Sequence, residues 1–310
     1  MWFLTISDPG DGSGYWIRYT IRAPISGPPE ARVWFAAFAA DEGATPVALN
    51  EGLPVGRLHI RNDPFEARMG DSVIRSDRAV GSIEGHGHRV AWDLTFRQGP
   101  TFRLLPPAMY RGPLAPTKPL TPNPDARFDG AIEVDGDRRI LQRAPGQQGH
   151  LFGTRHAERW AWAYCSAFEG DGRVFQALSA QVRRASLLTP FLTVAGLRID
   201  GEWIRLRGLS RRRDWDLGRW RLALMGRRHR LEGEVRAAPR SMVQARYLDP
   251  DDTPRWCHHS EVASCRLTLW ERRPGGWHEV AELASTGTTH AEWTGRTPAP
   301  GVEAAHQELP

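Results

Sequence analysis

The feature that most limits what this chain can become is alternation. Short runs place large apolar side chains at every second position, and turn-forming dipeptides separate the runs. Tyr15, Ile17, Tyr19 and Ile21 alternate with Trp16, Arg18, Thr20 and Arg22; Val90, Trp92, Leu94 and Phe96 alternate with Ala91, Asp93, Thr95 and Arg97. The habit recurs at 191–200, 202–207, 230–237, 243–248 and 264–270, with Asp-Gly at 129–130, 135–136 and 171–172 and Pro-Gly-Gly at 274–276 between runs. Side chains of a strand point alternately to opposite faces, so this pattern predicts strands, and many short ones predict antiparallel barrels or sandwiches. Few windows carry the 3.6-residue stripe of an amphipathic helix. The fold class expected is all-β.

A chain of 310 residues suits about two domains. We expect the division between Gln142 and Gly172, giving domains 1–148 and 149–310. Prolines at 106, 107, 113, 116, 119, 122 and 124 form the densest proline run. Proline lacks the ladder donor, so this run is expected to be an ordered crossing or lid and not a central strand. The polar, proline-rich stretch after Trp293 reads as a frayed tail.

Charge and cysteine content exclude several classes. Net charge is +5, from 41 Lys and Arg against 36 Asp and Glu, and Lys118 is the single lysine. Ten arginines lie between Arg205 and Arg230, but Trp215, Leu217, Trp220, Leu222 and Leu224 interrupt them. That mixture predicts an exposed strand pair with a solvated face, and nucleic acid is not an expected partner. The longest apolar stretch, Val33–Ala40 with its flanks, is far short of the ~20 residues a bilayer span needs. Three cysteines (165, 257, 265) make no disulfide framework, and no secretory signal precedes the first strand, so a reducing cytoplasm is expected. His86-Gly-His88 and Cys257-His258-His259 with Cys265 contain metal-ligand residue types. The first pair has no third ligand nearby, and adjacent side chains on a strand diverge, so no metal is assigned. GxSxG, P-loop and dinucleotide fingerprints are missing from the sequence, and no cofactor is expected.

The segment richest in chemistry is His150-Leu-Phe-Gly-Thr-Arg-His-Ala-Glu-Arg-Trp-Ala-Trp-Ala-Tyr-Cys165. Read as a strand, His156, Glu158, Trp160, Trp162 and Tyr164 share one face, while Ala157, Arg159, Ala161, Ala163 and Cys165 share the other. The first face would be an aromatic wall with proton carriers at its end, suited to an unsaturated ligand. A helix remains open on the residues alone, since Trp160, Tyr164 and Phe168 also fall at helical spacing.

This segment resembles the central motif of the lipocalin-like superfamily that holds carotenoid 1,2-hydratases, AttH-type proteins, tocopherol cyclase-like proteins and fungal lipocalin-like Diels–Alderases. Gly14-Tyr-Trp-Ile-Arg-Tyr-Thr-Ile-Arg-Ala-Pro24 with Val33-Trp-Phe-Ala-Ala-Phe38 resembles its N-terminal strand pair. Tyr247-Leu-Asp-Pro250, Trp256-Cys-His-His-Ser260 and Glu292-Trp293 resemble its closing strands. The resemblance implies two tandem lipocalin-like β-barrels, a ligand cavity in or between them, and a strand at 156–168.

The function this implies is cofactor-independent cyclisation or hydration of an apolar polyene, isoprenoid or polyketide chain. Glu158 and His156 are the first candidates for proton transfer, with Asp249 and Glu292 behind them. Trp160, Trp162 and Tyr164 are the expected lining, joined by Tyr15, Tyr19 and Trp34. Arg155 and Arg159 would hold a carboxylate or fix Glu158, which has an ion pair as its competing role. The alternative function is non-catalytic carriage of a lipid or isoprenoid in the same cavity.

Overall fold

The computed structural model describes residues 1–39, 41, 44–112, 115–168, 172–184 and 186–309; Ala40, Pro113 and Asp171 of the segments above lie outside them. Two sheets take most of the chain, and no α-helix occurs among the described residues. The first sheet has 13 strands. From its edge at Gln307–Leu309 it runs through Val47–Leu53, Glu30–Phe38, Ser13–Arg22 and Trp2–Asp8 to the long hairpin Asp137–Gly153 and Thr117–Val134, then on through His88–Phe96 to Leu58–Asn62. The second has 11 strands, with Arg159–Cys165 between Val174–Gln181 and the long strand Gly276–Gly295, which pairs in turn with Pro254–Arg273.

Each sheet curls round its own apolar core, giving two tandem lipocalin-like β-barrels. Leu4, Ile6, Ile17, Tyr19, Phe35, Leu94 and Ile132 fill the first. Ala161, Ala163, Phe175, Leu222, Leu267 and Trp293 fill the second. A third cluster lies between the barrels, where Trp16, Trp34 and Phe38 of the first sheet meet Trp160, Tyr247 and Cys257 of the second. The strands at this seam are therefore buried on both faces. The first sheet ends at Gly153 and the second starts at Arg159; we propose that the domains divide in this connection.

One irregularity prepares the site. In Pro254–Arg273, Cys257 joins the seam cluster, whereas Ala263, Cys265 and Leu267, of the same parity, join the barrel core. A register shift between Ser260 and Ala263 reverses the alternation, as an extra bulge residue does. Glu261, just before the reversal, points at Gly14 of the first barrel, where any Cβ would overlap its own.

Two expectations need correction. The proline run is a crossing only in its first half. Its second half opens the strand Thr117–Val134, with Pro119 paired opposite Leu151 and register shifts on either side of Asn123. Prolines fit there because on the strand's other edge Phe102–Arg103 pairs only with Leu120 and Thr121, and His88–Phe96 only from Phe128 onward, so their missing N–H groups break no second ladder. The tail is also ordered. Ala304–Ala305 pairs in parallel with Val243–Gln244 of the second sheet, and Gln307–Leu309 pairs in parallel with Leu49–Glu51 of the first. Arg219–Met225 alternates exposed arginines with buried Trp220, Leu222 and Leu224, the pattern expected of a solvated strand face.

Candidate active site

A cavity of about 340 Å³ opens between the barrels, within the size range of small-molecule sites. Phe3, Trp16 and Arg18 line it from the first sheet, and Trp160, Trp162, Leu178, Leu192 and Tyr247 from the second. The proline-rich crossing closes one side with Leu104, Leu105 and Met109. The lining is mostly apolar, so the few polar groups that reach it carry its chemistry.

Arg159–Cys165 is a strand, which settles the helix alternative. Its small odd residues face the second barrel's core, and its aromatic even residues face the seam. The indoles of Trp160 and Trp162 line the cavity. Tyr164 does not. Its hydroxyl donates to Gly146 O at 2.5 Å, with Pro124 O at 3.1 Å, so it latches the second barrel onto the long hairpin of the first.

The alternation stops short of Glu158, because the strand starts at Arg159. Glu158 consequently turns away from the cavity toward three arginines. Its Oε2 accepts from Arg255 Nη2 at 3.1 Å, and Oε1 faces Arg183 at 3.3 Å and Arg296 at 3.6 Å. Burial pushes this carboxyl up, yet the bonds and charges of Arg183 and Arg255 outweigh it and hold the pKa below the usual carboxylate value. A carboxylate held so is an ion-pair partner.

His156 reaches the cavity from the connection ahead of the strand. Its backbone N–H and its ring Nδ1 both lie 2.8 Å from Asp249 Oδ1. Asp249 is completely buried. Burial works against its charge, but the His156 bonds and the nearby Arg255 hold its pKa below normal. An ionised acceptor at Nδ1 makes that nitrogen the donor and leaves Nε2 as the basic face of the ring. Arg155 is engaged with Asp251 and Asp249 and is absent from the lining. Arg159 alternates to the face opposite Trp160 and is likewise absent.

The acid on the cavity wall is Glu292. Its Oε2 accepts from Trp160 Nε1 at 3.0 Å, and its Oε1 lies 3.5 Å from His290 Nε2. On the other side of that ring, His290 Nδ1 is bonded to Glu261 Oε1. Both His290 and Glu261 are about 1% exposed. Burial pulls the His290 pKa down, but the charge of Glu261 lifts it to about 9. Burial pushes Glu261 up to about 7 against the pull of His290. For Glu292, burial raises the pKa, while the His290 bond and charge, the Trp160 N–H and the Arg18 charge bring it below normal. Glu261, His290 and Glu292 thus form a line from the protein interior to the cavity wall.

Tyr15 and Tyr19 lie on the wrong face of their strand for this cavity. Both pack in the first barrel, and the Tyr19 hydroxyl donates to Val73 O and accepts from Trp92 Nε1. Their neighbours Trp16 and Arg18 line the cavity instead, a placement the alternation allowed but did not choose. Trp34 sits behind Tyr247, with ring centroids 5.8 Å apart, and lines an adjoining cleft of about 70 Å³. Glu261 and His290 escaped the sequence reading; their positions just after His258-His259-Ser260 and two residues before Glu292 were the only signal.

Two lipocalin-like barrels enclose an aromatic cavity between them, with an acid and an imidazole on its wall. The tocopherol cyclase-like family model matches residues 124–295, more than half of the sequence, and the chain belongs to that family. An uncharacterized protein of Mycobacterium tuberculosis is 27% identical over 94% of this chain and 84% of its own length. The chloroplastic tocopherol cyclase of Zea mays is 25% identical over 47% of this chain, a match taking in 32% of the plant protein. Among solved structures, an AttH-like protein of Nitrosomonas europaea superimposes with a TM-score of 0.53 at 13% identity, covering 96% of this chain and 92% of its own, which is a likeness of fold. No helix among the described residues is long and apolar enough to cross a membrane.

Proposed function

We propose that this protein is a cyclase or hydratase that folds an apolar polyene or isoprenoid chain in the inter-barrel cavity and closes or hydrates it by proton transfer alone. The observation that carries the reading is Glu292 on the wall of a mostly apolar cavity, backed by the His290–Glu261 pair. A carboxyl with a low pKa is a strong acid whenever it holds a proton, which suits it to a weakly basic carbon–carbon double bond. In the proposed step Glu292 protonates the double bond, and the electron-rich faces of Trp160, Trp162 and Trp16 stabilise the cation that forms. A hydroxyl of the ligand itself, or a water, attacks that cation and loses its proton to His156 Nε2. His290 then passes a proton to Glu292, His156 releases the proton it took to solvent, and His290 regains one from solvent, so that all three groups end as they began. One proton is given and one is taken, so the step needs no redox partner. The cavity's shape contributes by holding the chain near its reactive geometry. Three unpaired, buried cysteines favour a reducing compartment such as the cytoplasm.

The test is incubation of the purified protein with prenylated quinols and linear polyenes, without added cofactor, followed by product analysis. Cyclised or hydrated product is expected. Glu292→Gln should abolish it while ligand affinity stays within about threefold. Unchanged ligand recovered from a tight complex would refute catalysis and leave carriage as the function.

A further inference from the structure

Arg18 presents an electrostatic problem that the proposed reaction leaves unsolved. Its side chain sits on the seam between the barrels, only 3% exposed. The guanidinium lies 4.1 Å above the Tyr247 ring, with the Trp16 and Trp34 rings at 5.6 and 5.8 Å. Among the described residues it makes no ion pair and no hydrogen bond, and its Nε is buried without an acceptor. Buried charges in folded proteins are ordinarily paired, because aromatic faces replace only part of the hydration lost. Glu292 is near enough to feel its charge but is bonded to Trp160 and lies 3.5 Å from His290 Nε2.

The surroundings add to the imbalance. Arg18, His156 and Tyr247 line both the main cavity and the adjoining cleft. That cleft is also lined by Arg22, Arg32 and Arg246, with Glu30 as its one acid. Glu30 and Asp252 hold Arg22, and Arg32 bonds to Asn50. Arg246 is exposed and, among the described residues, has no hydrogen-bond or ion-pair partner. Two unpaired guanidinium groups therefore flank the point where an apolar cavity meets an arginine-lined cleft.

We propose that the ligand is amphipathic, with an anionic head group (a carboxylate or a phosphate) seated between Arg18 and Arg246 and its apolar chain extending along the cavity past Trp160 toward Glu292. This rests on the cavity being the ligand site of the function proposed above, and it names the class of ligand. The head group supplies the missing counter-charge. It also fixes the register of the chain, because the distance from Arg18 to Glu292 selects which double bond meets the acid. Guanidinium groups suit this role through their planar array of donors, which matches carboxylate and phosphate oxygens.

Binding of three probes with one chain length tests it: farnesol, farnesoic acid and farnesyl monophosphate, titrated into the full chain by calorimetry. At least one anion should bind ten or more times more tightly than farnesol, and which anion does so separates carboxylate from phosphate. Arg18→Gln should reduce that anion to the affinity of farnesol while leaving farnesol within about twofold. Arg246→Gln, at an exposed position, should weaken the anion about threefold and decides the matter if the Arg18 variant does not fold. Equal affinity for farnesol and both anions, or an Arg246 variant with undiminished anion affinity, overturns the proposal. Binding is read without turnover. A neutral polyene converted by a protein with no anion preference would overturn this inference alone; anion preference without any turnover would overturn the cyclase reading alone.

Discussion

Glu158→Gln separates an ion-pair partner from a proton carrier. The bond from Arg255 is the buried one, with side chains 9% and 10% exposed, and a charge-assisted hydrogen bond of that kind contributes about 1.5–3 kcal/mol. Arg183 and Arg296 are 36% and 64% exposed, so solvent screens them and each contributes about 0–1 kcal/mol. Glutamine keeps one acceptor oxygen and loses the charge, while Arg255 keeps Asp249 at 3.4 Å. The net loss should be about 2 kcal/mol at pH 7, a fall in Tm of roughly 3–6 °C for a chain of this size.

Acid should erase the difference. Arginine bonding holds the Glu158 pKa in the folded state below its unfolded value, so its stabilisation is present above the unfolded pKa and is lost as pH falls through the folded one. The gap between wild type and variant should therefore start to narrow near the unfolded pKa of about 4 and close only below the folded-state pKa. Thermal unfolding from pH 3 to 8, with product formation measured at pH 7, checks both halves. A variant that melts like wild type but forms no product would refute the ion-pair assignment and make Glu158 the proton carrier.

Trp160→Ala should weaken apolar-ligand binding about tenfold, as expected from ~50 Å² of lost apolar contact; unaltered affinity in a folded variant would count against the cavity as the ligand site. Folded-state values of about 7 for Glu261 and about 9 for His290 are both raised. Each therefore stabilises fully below its unfolded pKa and loses that contribution as pH rises through the folded one. Tm should decline from about pH 5 to pH 9, and Glu261→Gln should flatten the decline; an unchanged slope would show that the pair is not titrating. Tyr164→Phe removes the latch onto Gly146 and should cost about 1 kcal/mol, read as a lower Tm with ligand affinity unchanged within twofold.

The barrels were legible because period two survives wherever one face of a strand is buried. It failed where both faces are. Ser13–Arg22 has consecutive buried residues from Gly14 to Tyr19, so nothing local tells Tyr15 and Tyr19, which fill a barrel, from Trp16 and Arg18, which line the cavity. An arginine in an alternating strand reads as solvent-facing until a second barrel covers it. The surroundings of the two carboxylates were illegible for a related reason. Glu158 lies two residues before Trp160 and Glu292 directly before Trp293; only the tertiary arrangement puts three arginines round the first and Glu261 behind the His290 that shares a strand with the second. His259 and Glu261 lie before a register shift that reverses the facing of the residues beyond it. Such a shift leaves no mark in composition.

Because the cavity belongs to neither barrel, its geometry is a property of their docking. Arg18 comes from one sheet, and Glu292 and Tyr247 come from the other, so a small slide of one barrel over the other would change the span between head-group site and acid. The contacts that prevent a slide are close and specific. Gly14 admits Glu261 where any Cβ would collide with it. Thr121 and Gln147 of the first sheet bond to Gln176 of the second. The tail pairs with both sheets, and His306 lies 3.2 Å from Leu49 O on one side and 3.2 Å from His259 Nε2 on the other. A ligand that touches both sheets binds only the docked arrangement, so it must stabilise the interface by the free energy of its own binding. A methyl group at Gly14 would act in the opposite direction, displacing Glu261 from His290 and wedging the seam, and would therefore lower ligand affinity and proton transfer together without touching the cavity wall.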